Sequence, residues 1–408
     1  MPVGIRHPPL RRPGPAVHRH PATPRPQPAS AGRDLRLDTL RGWMLVAMAV
    51  NHLNTELRVF TDHAFGFVST AEGFVFLSGL VAGLVYTRRA VGNPAAAWQD
   101  RARRRAREIY LWHLGGFMTT FLGLQLLALL TGRISTTSPA LFFQHPVAAV
   151  PMGALLLYQP GLFDILPMYC VFMLLLPTVL AGLQARRWGW IFAVSGGLWL
   201  LAQAGLRDYL QAGLARFLPV NLGVFDLLAW QLLFVLGACF GYHWAKPSRP
   251  LLSFRPAMLL LCLVVAVPLW FLLKYQHLPW PGVTMDMVWA WADKAHLAPL
   301  RLLNFIVVAY LIAAVAVRRP GFFAFRPLAF LGRHSLAVFT VQAVVCALVL
   351  TQPDLFATFA SRTLTALGLV AVLFATAGMH QQLSTWRRSD DPTGSADRRV
   401  WPEPESCN

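Results

Sequence analysis

Long apolar stretches, separated by shorter polar connections, recur along almost the whole chain. Each stretch is about 20 residues long, which is the length that an α-helix needs to cross the hydrocarbon core of a bilayer. A transmembrane barrel would show shorter segments of alternating apolar and polar residues, and the sequence has no such alternation. The pattern predicts an all-α polytopic membrane protein with about ten transmembrane helices, near residues 35–55, 71–91, 108–131, 162–184, 188–205, 225–244, 257–275, 297–318, 329–351 and 362–383.

The apolar stretch at 141–158 is interrupted by Pro146, Pro151 and Gly153. Because these residues break a regular helix, we interpret the stretch as a re-entrant or interfacial segment rather than a crossing. An eleventh crossing here would also move every later connection to the opposite side of the membrane. It would thereby remove the asymmetry of basic residues between the two sides.

Basic residues are concentrated on one side of the predicted helices. Lys and Arg crowd the connections at 1–36 and 87–107 and recur in alternate connections after these, while the other connections hold few. By the positive-inside rule, this asymmetry predicts that both termini are cytoplasmic. The net charge of +18 therefore reflects membrane topology, so we expect membrane lipids as partners and no nucleic acid.

Two terminal regions differ from the apolar body of the chain. Residues 1–34 are rich in Pro and Arg and contain no apolar run, so they are predicted to form a disordered cytoplasmic tail and not a signal peptide. Residues 386–408 are polar and short, and they form a predicted cytoplasmic C-terminal tail. Residues 35–385 between them form the predicted membrane domain.

The spacings of cysteine and histidine argue against disulfides and metal ions. Neither a CxxC pair nor an HExxH motif occurs, so we predict no metal site. His113 and His380 are interpreted as structural. The first four cysteines lie in apolar stretches and are interpreted as small apolar helix residues. The five cysteines are Cys170, Cys239, Cys262, Cys346 and Cys407.

The stretch RGWMLVAMAVNHLN carries two ionisable residues inside the first predicted helix. Arg41 and His52 lie on one face of an α-helix at this spacing, about 16 Å apart along its axis. Ionisable groups in apolar helices are costly unless they are paired. Asp38, three residues before Arg41, lies on the same face and can neutralise it. Either both residues are structural, with His52 reaching the outer interface, or both are functional.

Glu72 is the candidate partner of His52. It begins the second predicted helix, at a membrane depth similar to that of His52. A histidine beside an orienting carboxylate can act as a general base on a hydroxyl, because imidazole titrates near neutral pH. The sequence has no Gly-x-Ser-x-Gly motif. Although Ser78 follows Glu72 in the same helix, direct transfer between two bound substrates is a simpler interpretation than a covalent serine intermediate.

Other candidate residues lie at both predicted surfaces. The basic segment 88–107 and the motif LGRHSLAVF, with Arg333 and His334, are predicted to face the cytoplasm. They could contact anionic lipids, or the phosphates of a donor such as a coenzyme A thioester. On the outer side, Asp164 in YQPGLFDILPMY lies among aromatic residues. This combination suits a sugar, but also an interfacial aromatic belt.

The sequence resembles the OpgC family of bacterial inner-membrane proteins, which is tied to succinylation of osmoregulated periplasmic glucans. The matching stretches, in order between about residues 35 and 383, are RDLRLDTLRGWMLVAMAVNHL, STAEGFVFLSGLVAGLVYTRR, LYQPGLFDILPMY, AWQLLFVLG and LGRHSLAVF. The spacing from Arg41 to His52 is also similar to the Arg-x10-His motif of the wider integral membrane acyltransferase superfamily. Thr39 stands where many relatives are expected to have an aromatic residue, which is a difference in packing.

The resemblance implies that residues 35–385 form an acyltransferase domain in a bacterial inner membrane. It implies transfer of an acyl group from succinyl-CoA or acetyl-CoA, a co-substrate rather than a permanently bound cofactor, to a hydroxyl of a periplasmic glucan or another glycan. His52 would be catalytic and Arg41 a donor-side or structural residue. Asp38 and Glu72 match acidic positions of the family's motifs.

Two further classes of protein remain open on the sequence. A multi-pass transporter or flippase for a glycan or an organic anion would use Arg41 as a charge site and His52 as a proton relay. Internal repeats would favour a transporter, and the segments show no clear two-fold repetition. A non-catalytic partner in an envelope assembly would need neither residue.

Overall fold

The computed structural model describes residues 34–53, 55–90, 95–132, 146–246, 252–276 and 282–389. The regular elements within these ranges are helical, with one isolated bridge between Tyr158 and Asn221. The predicted all-α class is therefore confirmed. Nearly all of the two predicted tails lies outside the described residues.

The described helices vary widely in length, and three 3-10 turns accompany them. The turns are Glu56–Phe60, Pro320–Phe323 and Pro353–Phe356. The helices are α1 (Leu35–His52), α2 (Thr70–Ala90), α3 (Ala95–Thr131), α4 (Pro146–Ala154), α5 (Ile165–Gln184), α6 (Trp188–Gln203), α7 (Leu206–Leu214), α8 (Leu227–Trp244), α9 (Pro256–Tyr275), α10 (Met285–Trp291), α11 (Pro299–Arg318), α12 (Arg326–Arg333), α13 (Ser335–Val349) and α14 (Phe359–Ser389).

Seven of the described helices are long and apolar enough to cross a membrane, and they are α2, α3, α5, α8, α9, α11 and α14. Two bent pairs bring the number to nine if each pair is one span: α6 with α7 at 60°, and α12 with α13 at 84°. All nine lie where the sequence predicts a span. The remaining predicted span corresponds to α1, whose 18 residues include Arg36, Asp38 and Arg41.

The predicted interfacial stretch contains a short helix instead of a crossing. Helix α4 has nine residues, so it is only about 14 Å long, less than half of the hydrocarbon thickness. It packs tightly on α3, because a Cβ atom at Gly153 would lie 2.2 Å from Cζ of Phe117. Residues 141–145 lie outside the described residues.

The segment 88–107, predicted to be a connection, is mostly helical. Helix α2 ends at Ala90 and α3 begins at Ala95. Alanine and arginine, which dominate the sequence after Asn93, are strong helix formers. Trp98 is buried and fixes the start of α3 against the core.

Helices α2 and α8 run parallel with their backbones in contact. A Cβ atom at Gly79 would lie 2.2 Å from the carbonyl oxygen of Phe234, and one at Gly237 would lie 2.2 Å from that of Phe76. Glycine is required at this distance because any side chain would collide with backbone. The same contact repeats one turn further along, where the glycines are Gly83 in α2 and Gly241 in α8.

Helix α12 crosses α1 at an equally close contact. A Cβ atom at Gly42 would lie 1.8 Å from the carbonyl oxygen of Leu328, and one at Gly332 would lie 1.9 Å from that of Asp38. The chain then bends by 84° into α13. Helix α13 runs parallel to α1, because its first residue, Ser335, contacts the first half of α1 and its later residues contact the end of α1.

Candidate active site

Two ionisable residues of α1 contact α13. Arg41 donates a hydrogen bond through Nη2 to Oγ of Ser335, at 2.7 Å. His52 is the last residue of α1 and is half-buried, and its Nδ1 lies 3.4 Å from the side-chain amide of Gln342. Both side chains therefore lie on the face of α1 that packs against α13, as their spacing predicts.

A cavity with a volume of about 260 Å³ lies beside Arg41. Its wall is mostly apolar and comes from α2, α3, α5, α8 and α13, with Ser335 beside Arg41. Along α2 the lining runs from Phe74 to Arg89, a rise of about 22 Å. Arg105 of α3 joins Arg89 at that end. The cavity thus has two arginines at one end and a third, Arg41, deep among the helices.

Aromatic rings close the cavity at its other end. The ring of Phe74 stacks on Phe339 and meets Tyr169 edge-on, each at a centroid distance of 6.1 Å. The guanidinium of Arg41 lies 5.9 Å from the centre of the Phe74 ring. His52 is not among the described residues that line the cavity. These three rings, the aromatic group, therefore form the end of the cavity opposite Arg89.

The hydroxyl of Ser78 lines the cavity, but its partner is not a base. Ser78 lies beside the hydroxyl of Tyr169, which itself donates to the carbonyl oxygen of Phe74 at 3.0 Å. A serine nucleophile needs a general base within hydrogen-bond reach. The geometry therefore favours direct transfer over a covalent intermediate at Ser78.

Glu72 pairs with an arginine and not with His52. Its Oε1 accepts a hydrogen bond from Nη1 of Arg301 at 2.8 Å, and its Oε2 accepts bonds from the backbone and hydroxyl of Ser69 at 2.9 and 2.6 Å. Glu72 is fully buried and Arg301 is 2% exposed. A buried carboxylate needs a cation and hydrogen bonds to offset its desolvation, and Arg301 supplies both. The expected contact between Glu72 and His52 is therefore corrected to one between Gln342 and His52.

Arg301 is a functional candidate that the sequence analysis did not single out. It lies in the first turn of α11, an apolar helix long enough to cross a membrane. An arginine in such a position is itself the signal, since ionisable residues in apolar helices are rare unless they have a role. Polar residues in apolar helices are costly in the same way, which identifies Gln342, a buried amide inside the apolar helix α13.

The segment 292–298, which connects α10 to α11, is held in place by side chains from three helices. Arg301 donates through Nε to the carbonyl of residue 292 at 2.7 Å. Trp199, Gln203 and Trp230 donate to other carbonyls of this segment at distances between 2.6 and 3.1 Å. Five anchored carbonyl contacts leave the backbone of the segment little freedom.

Lys294 is the cation that this segment brings to the His52 side of the bundle. Its ammonium lies 5.5 Å from the centre of the Phe225 ring. It is close enough to both His52 and Asp164 for its charge to act on them. His52 of α1 and Asp164 at the start of α5 therefore both lie within the electrostatic range of Lys294.

Asp164, expected to suit a sugar, is 5% exposed. Its Oδ2 accepts a hydrogen bond from the backbone N–H of Val224 at 3.0 Å. A Cβ atom at Gly223 would lie 2.4 Å from its Cβ, so the 223–224 turn presses directly on it. In this conformation Asp164 shapes the turn that precedes α8.

His296, in the same segment, bridges two carboxylates. Its Nδ1 lies 2.8 Å from Oδ2 of Asp293, and its Nε2 lies 2.9 Å from Oδ2 of Asp208 in α7. Burial by itself would lower the pKa of His296, but the hydrogen bonds and charges of Asp293 and Asp208 raise it above the ordinary imidazole value. This histidine therefore ties α7 to the segment 292–298 most strongly when it is protonated.

The candidate phosphate-binding residues at the opposite side have protein partners. Nε of Arg333 lies 4.0 Å from Oδ2 of Asp38, a buried carboxylate. Nδ1 of His334 lies 2.9 Å from Nδ1 of His380, so a residue interpreted as structural is the neighbour of a predicted binding residue. Neither Arg333 nor His334 is among the described residues that line the cavity. The basic segment 88–107 instead supplies the two arginines at one end of the cavity, Arg89 and Arg105.

Comparison with known proteins identifies a family. The sequence profile of the family described as "OpgC protein" matches residues 33–385, which is most of the chain and includes every residue of the sites above. No curated protein and no solved structure is significantly similar to the chain.

Proposed function

Because the chain belongs to the OpgC family, we propose that it is a membrane-embedded O-acyltransferase. It moves a succinyl or acetyl group from an acyl-coenzyme A to a hydroxyl of a periplasmic glucan or another glycan. The observation that carries the proposal is the cavity that leads from Arg89 and Arg105 to Arg41. Arg41 lies in α1, and the same helix ends at His52.

The proposed topology has α1 as a tenth crossing, in a bacterial inner membrane, with both termini in the cytoplasm. Crossings of the same parity run parallel. In this topology α1 and α13 are the first and ninth crossings, and α2 and α8 are the second and sixth. Both pairs are parallel in the structure, which supports the arrangement. The Arg89 end of the cavity then faces the cytoplasm and His52 faces the periplasm.

The cavity has the chemistry of a donor site. Arginine forks bind phosphate oxygens with charge-assisted hydrogen bonds, so Arg89 and Arg105 suit the phosphates of coenzyme A. The apolar wall suits the pantetheine arm, and Arg41 with Ser335 offers polar contacts along its path. His52 does not line the cavity among the described residues, so in this proposal the acyl end of the donor has to pass the aromatic group before transfer.

His52 acts as the general base in this proposal. The glycan hydroxyl attacks the carbonyl carbon of the thioester, and its proton passes to His52. The carbon–sulfur bond breaks, and the released thiolate of coenzyme A takes up the proton. The ammonium of Lys294 stabilises the negative charge that develops on the carbonyl oxygen. General base catalysis supplies about 10²–10⁴-fold in rate, and the positioning of two bound substrates supplies much of the rest.

Mass spectrometry of cell-envelope glycans tests the proposal. A deletion strain is complemented with the wild-type protein, with His52→Ala or with His113→Ala. His113 is the control because it is a second histidine of the helical bundle, more deeply buried than His52, and it packs between Phe117 and Phe163 with no hydrogen bond or ring contact to His52 in the part of the chain that the structure describes. We expect wild type and His113→Ala to restore an acyl mass increment, and His52→Ala to leave it absent at equal protein level.

Two results would overturn the proposal. Full acylation in the His52→Ala strain would remove the general base. Unchanged acylation with a changed location of the glycan would identify a transporter. Release of free thiol from succinyl-CoA or acetyl-CoA by the purified protein, in the presence of a glucan, separates catalysis from transport without a cell.

A further inference from the structure

The side chain beside the proposed base is an amide that no family motif above includes. Gln342 lies in α13, two turns beyond Ser335, and is 1% exposed. A buried amide must satisfy both its nitrogen and its oxygen, because each unpaired polar group costs about 1–3 kcal/mol. The partners available to Gln342 therefore determine which of its atoms faces His52.

One orientation of the Gln342 amide satisfies both of its atoms. The nitrogen then donates to the carbonyl oxygen of Leu45 at 3.1 Å, and the oxygen accepts from the backbone N–H of Ala49 at 3.0 Å. The opposite orientation would point the oxygen at a carbonyl and the nitrogen at an N–H. In the satisfied orientation it is the oxygen that lies 3.4 Å from Nδ1 of His52.

An oxygen at this position selects one form of the imidazole. Neutral histidine carries its proton on one ring nitrogen and a lone pair on the other. An acceptor facing Nδ1 favours the proton there and leaves the lone pair on Nε2. We infer that Gln342 is a positioning residue for His52: it holds the ring in the orientation and tautomer in which Nε2 can accept a proton from the substrate hydroxyl. This inference rests on the proposed function.

The charged groups around His52 do not supply this contact. Lys294 is the cation whose charge acts on the imidazole. On α2, Glu72 is engaged by Arg301. After α1, Glu56 pairs with Arg362 of α14. Helix α13 itself carries no ionic side chain between Ser335 and Val349. Gln342 is therefore the side chain in a position to fix the ring.

Steady-state kinetics of the purified protein with succinyl-CoA or acetyl-CoA and a glucan test the inference. Gln342→Met keeps the length of the side chain and removes the amide. We expect kcat to fall about 10- to 100-fold, a part of the contribution of a general base. KM for the acyl-CoA should stay unchanged, because Gln342 does not line the cavity among the described residues.

Gln342→Glu distinguishes positioning from packing. It keeps an oxygen facing Nδ1 but adds negative charge, which stabilises the imidazolium. The rising limb of kcat against pH should therefore move to higher pH, with a larger kcat than Gln342→Met at the new optimum. Gln231→Ala is the matched control, since Gln231 is another buried amide, bonded to Ser195 in α6. It should leave the pH profile in place.

The inference is wrong if Gln342→Met keeps the wild-type kcat, or if it lowers kcat no more than Gln231→Ala does. An unchanged pH midpoint in Gln342→Glu would likewise refute it. Activity of His52→Ala refutes the proposed function itself. If His52→Ala is inactive while the Gln342 variants keep the kcat and pH profile of the wild-type protein, only this inference is refuted. The two failures are therefore distinguishable.

Discussion

Removing one member of the Glu72–Arg301 pair should destabilise the protein much more than its size suggests. The two charges are 2.8 Å apart, and their side chains are 0% and 3% exposed. Breaking such a buried pair leaves an uncompensated charge and costs about 3–5 kcal/mol. We therefore expect this loss in Glu72→Gln and in Arg301→Met. The double variant should lose less than the sum, with a coupling energy of about 2–3 kcal/mol, because neither charge is then left alone.

Thermal unfolding of the four proteins in one detergent measures this cycle. At about 1–1.5 °C per kcal/mol for a chain of this length, each single variant should unfold about 3–8 °C below wild type. The control is the Arg103–Asp100 pair in α3, whose side chains are 69% and 58% exposed. Exposed pairs contribute about 1 kcal/mol or less, so Asp100→Asn should move the transition by no more than about 1.5 °C.

The cycle also decides what Glu72 does. Single variants that unfold like wild type, or effects that add without coupling, would refute the buried pair as an anchor of the segment 292–298. Glu72 would then be available for the orienting role that the sequence suggests. A strong coupling energy with the transfer rate retained in the double variant would instead confine Glu72 and Arg301 to holding the site together.

Three further outcomes follow from the structure. Gly237→Val should prevent the contact of α2 with α8, because a Cβ atom there meets backbone at 2.2 Å. Gly196→Ala is the control, since a Cβ atom there has open space around it, and this variant should unfold no earlier than wild type. The yields of folded protein compare the two variants. Arg105→Gln should raise KM for the acyl-CoA several-fold with little change in kcat. Arg103 is not among the described residues that line the cavity, so Arg103→Gln should leave both constants unchanged. Initial rates over a range of acyl-CoA concentrations measure both variants. The pKa of His296 is raised in the folded protein by its two carboxylate partners. The stability that protonated His296 adds to the fold is therefore complete below the ordinary pKa of 6.5, and it is lost as pH rises through the folded-state pKa. Unfolding temperatures measured between about pH 5 and 9 should fall more steeply for wild type than for His296→Gln.

The helices could be predicted well because their signal is local. An apolar run of about 20 residues identifies a membrane helix wherever it lies in the fold. The sequence missed the helical start of α3 because arginines between Arg101 and Arg107 were interpreted as a basic connection. It counted α1 with the others, although Arg36, Asp38 and Arg41 distinguish this helix from the apolar spans. At the start of α3 and in α1, charged side chains therefore made the helix harder to predict from apolar length alone.

The partners of the candidate residues could be predicted only in part. Spacing along α1 places Arg41 and His52 on one face, because that depends on helix geometry alone. The predicted spans place Glu72 and His52 at a similar depth, but the rotation of α2 about its axis decides which residue the Glu72 side chain contacts. That partner, Arg301, lies 229 residues away, and the partner of His52 lies 290 residues away. No local pattern encodes such contacts.

The long spacing between Arg41 and His52 has a structural consequence that links the donor cavity to the proposed base. Both residues contact one parallel helix, α13, through Ser335 and Gln342. Helix α13 is in turn fixed against α1 by the crossing of α12, where Gly332 meets the backbone of α1. A shift at that crossing would move both contacts together, because a packed helix pair is not continuously deformable. Arg41 beside the cavity and His52 at the end of α1 are thus positioned by the same pair of helices, and the distance between the cavity and His52 is set by their packing.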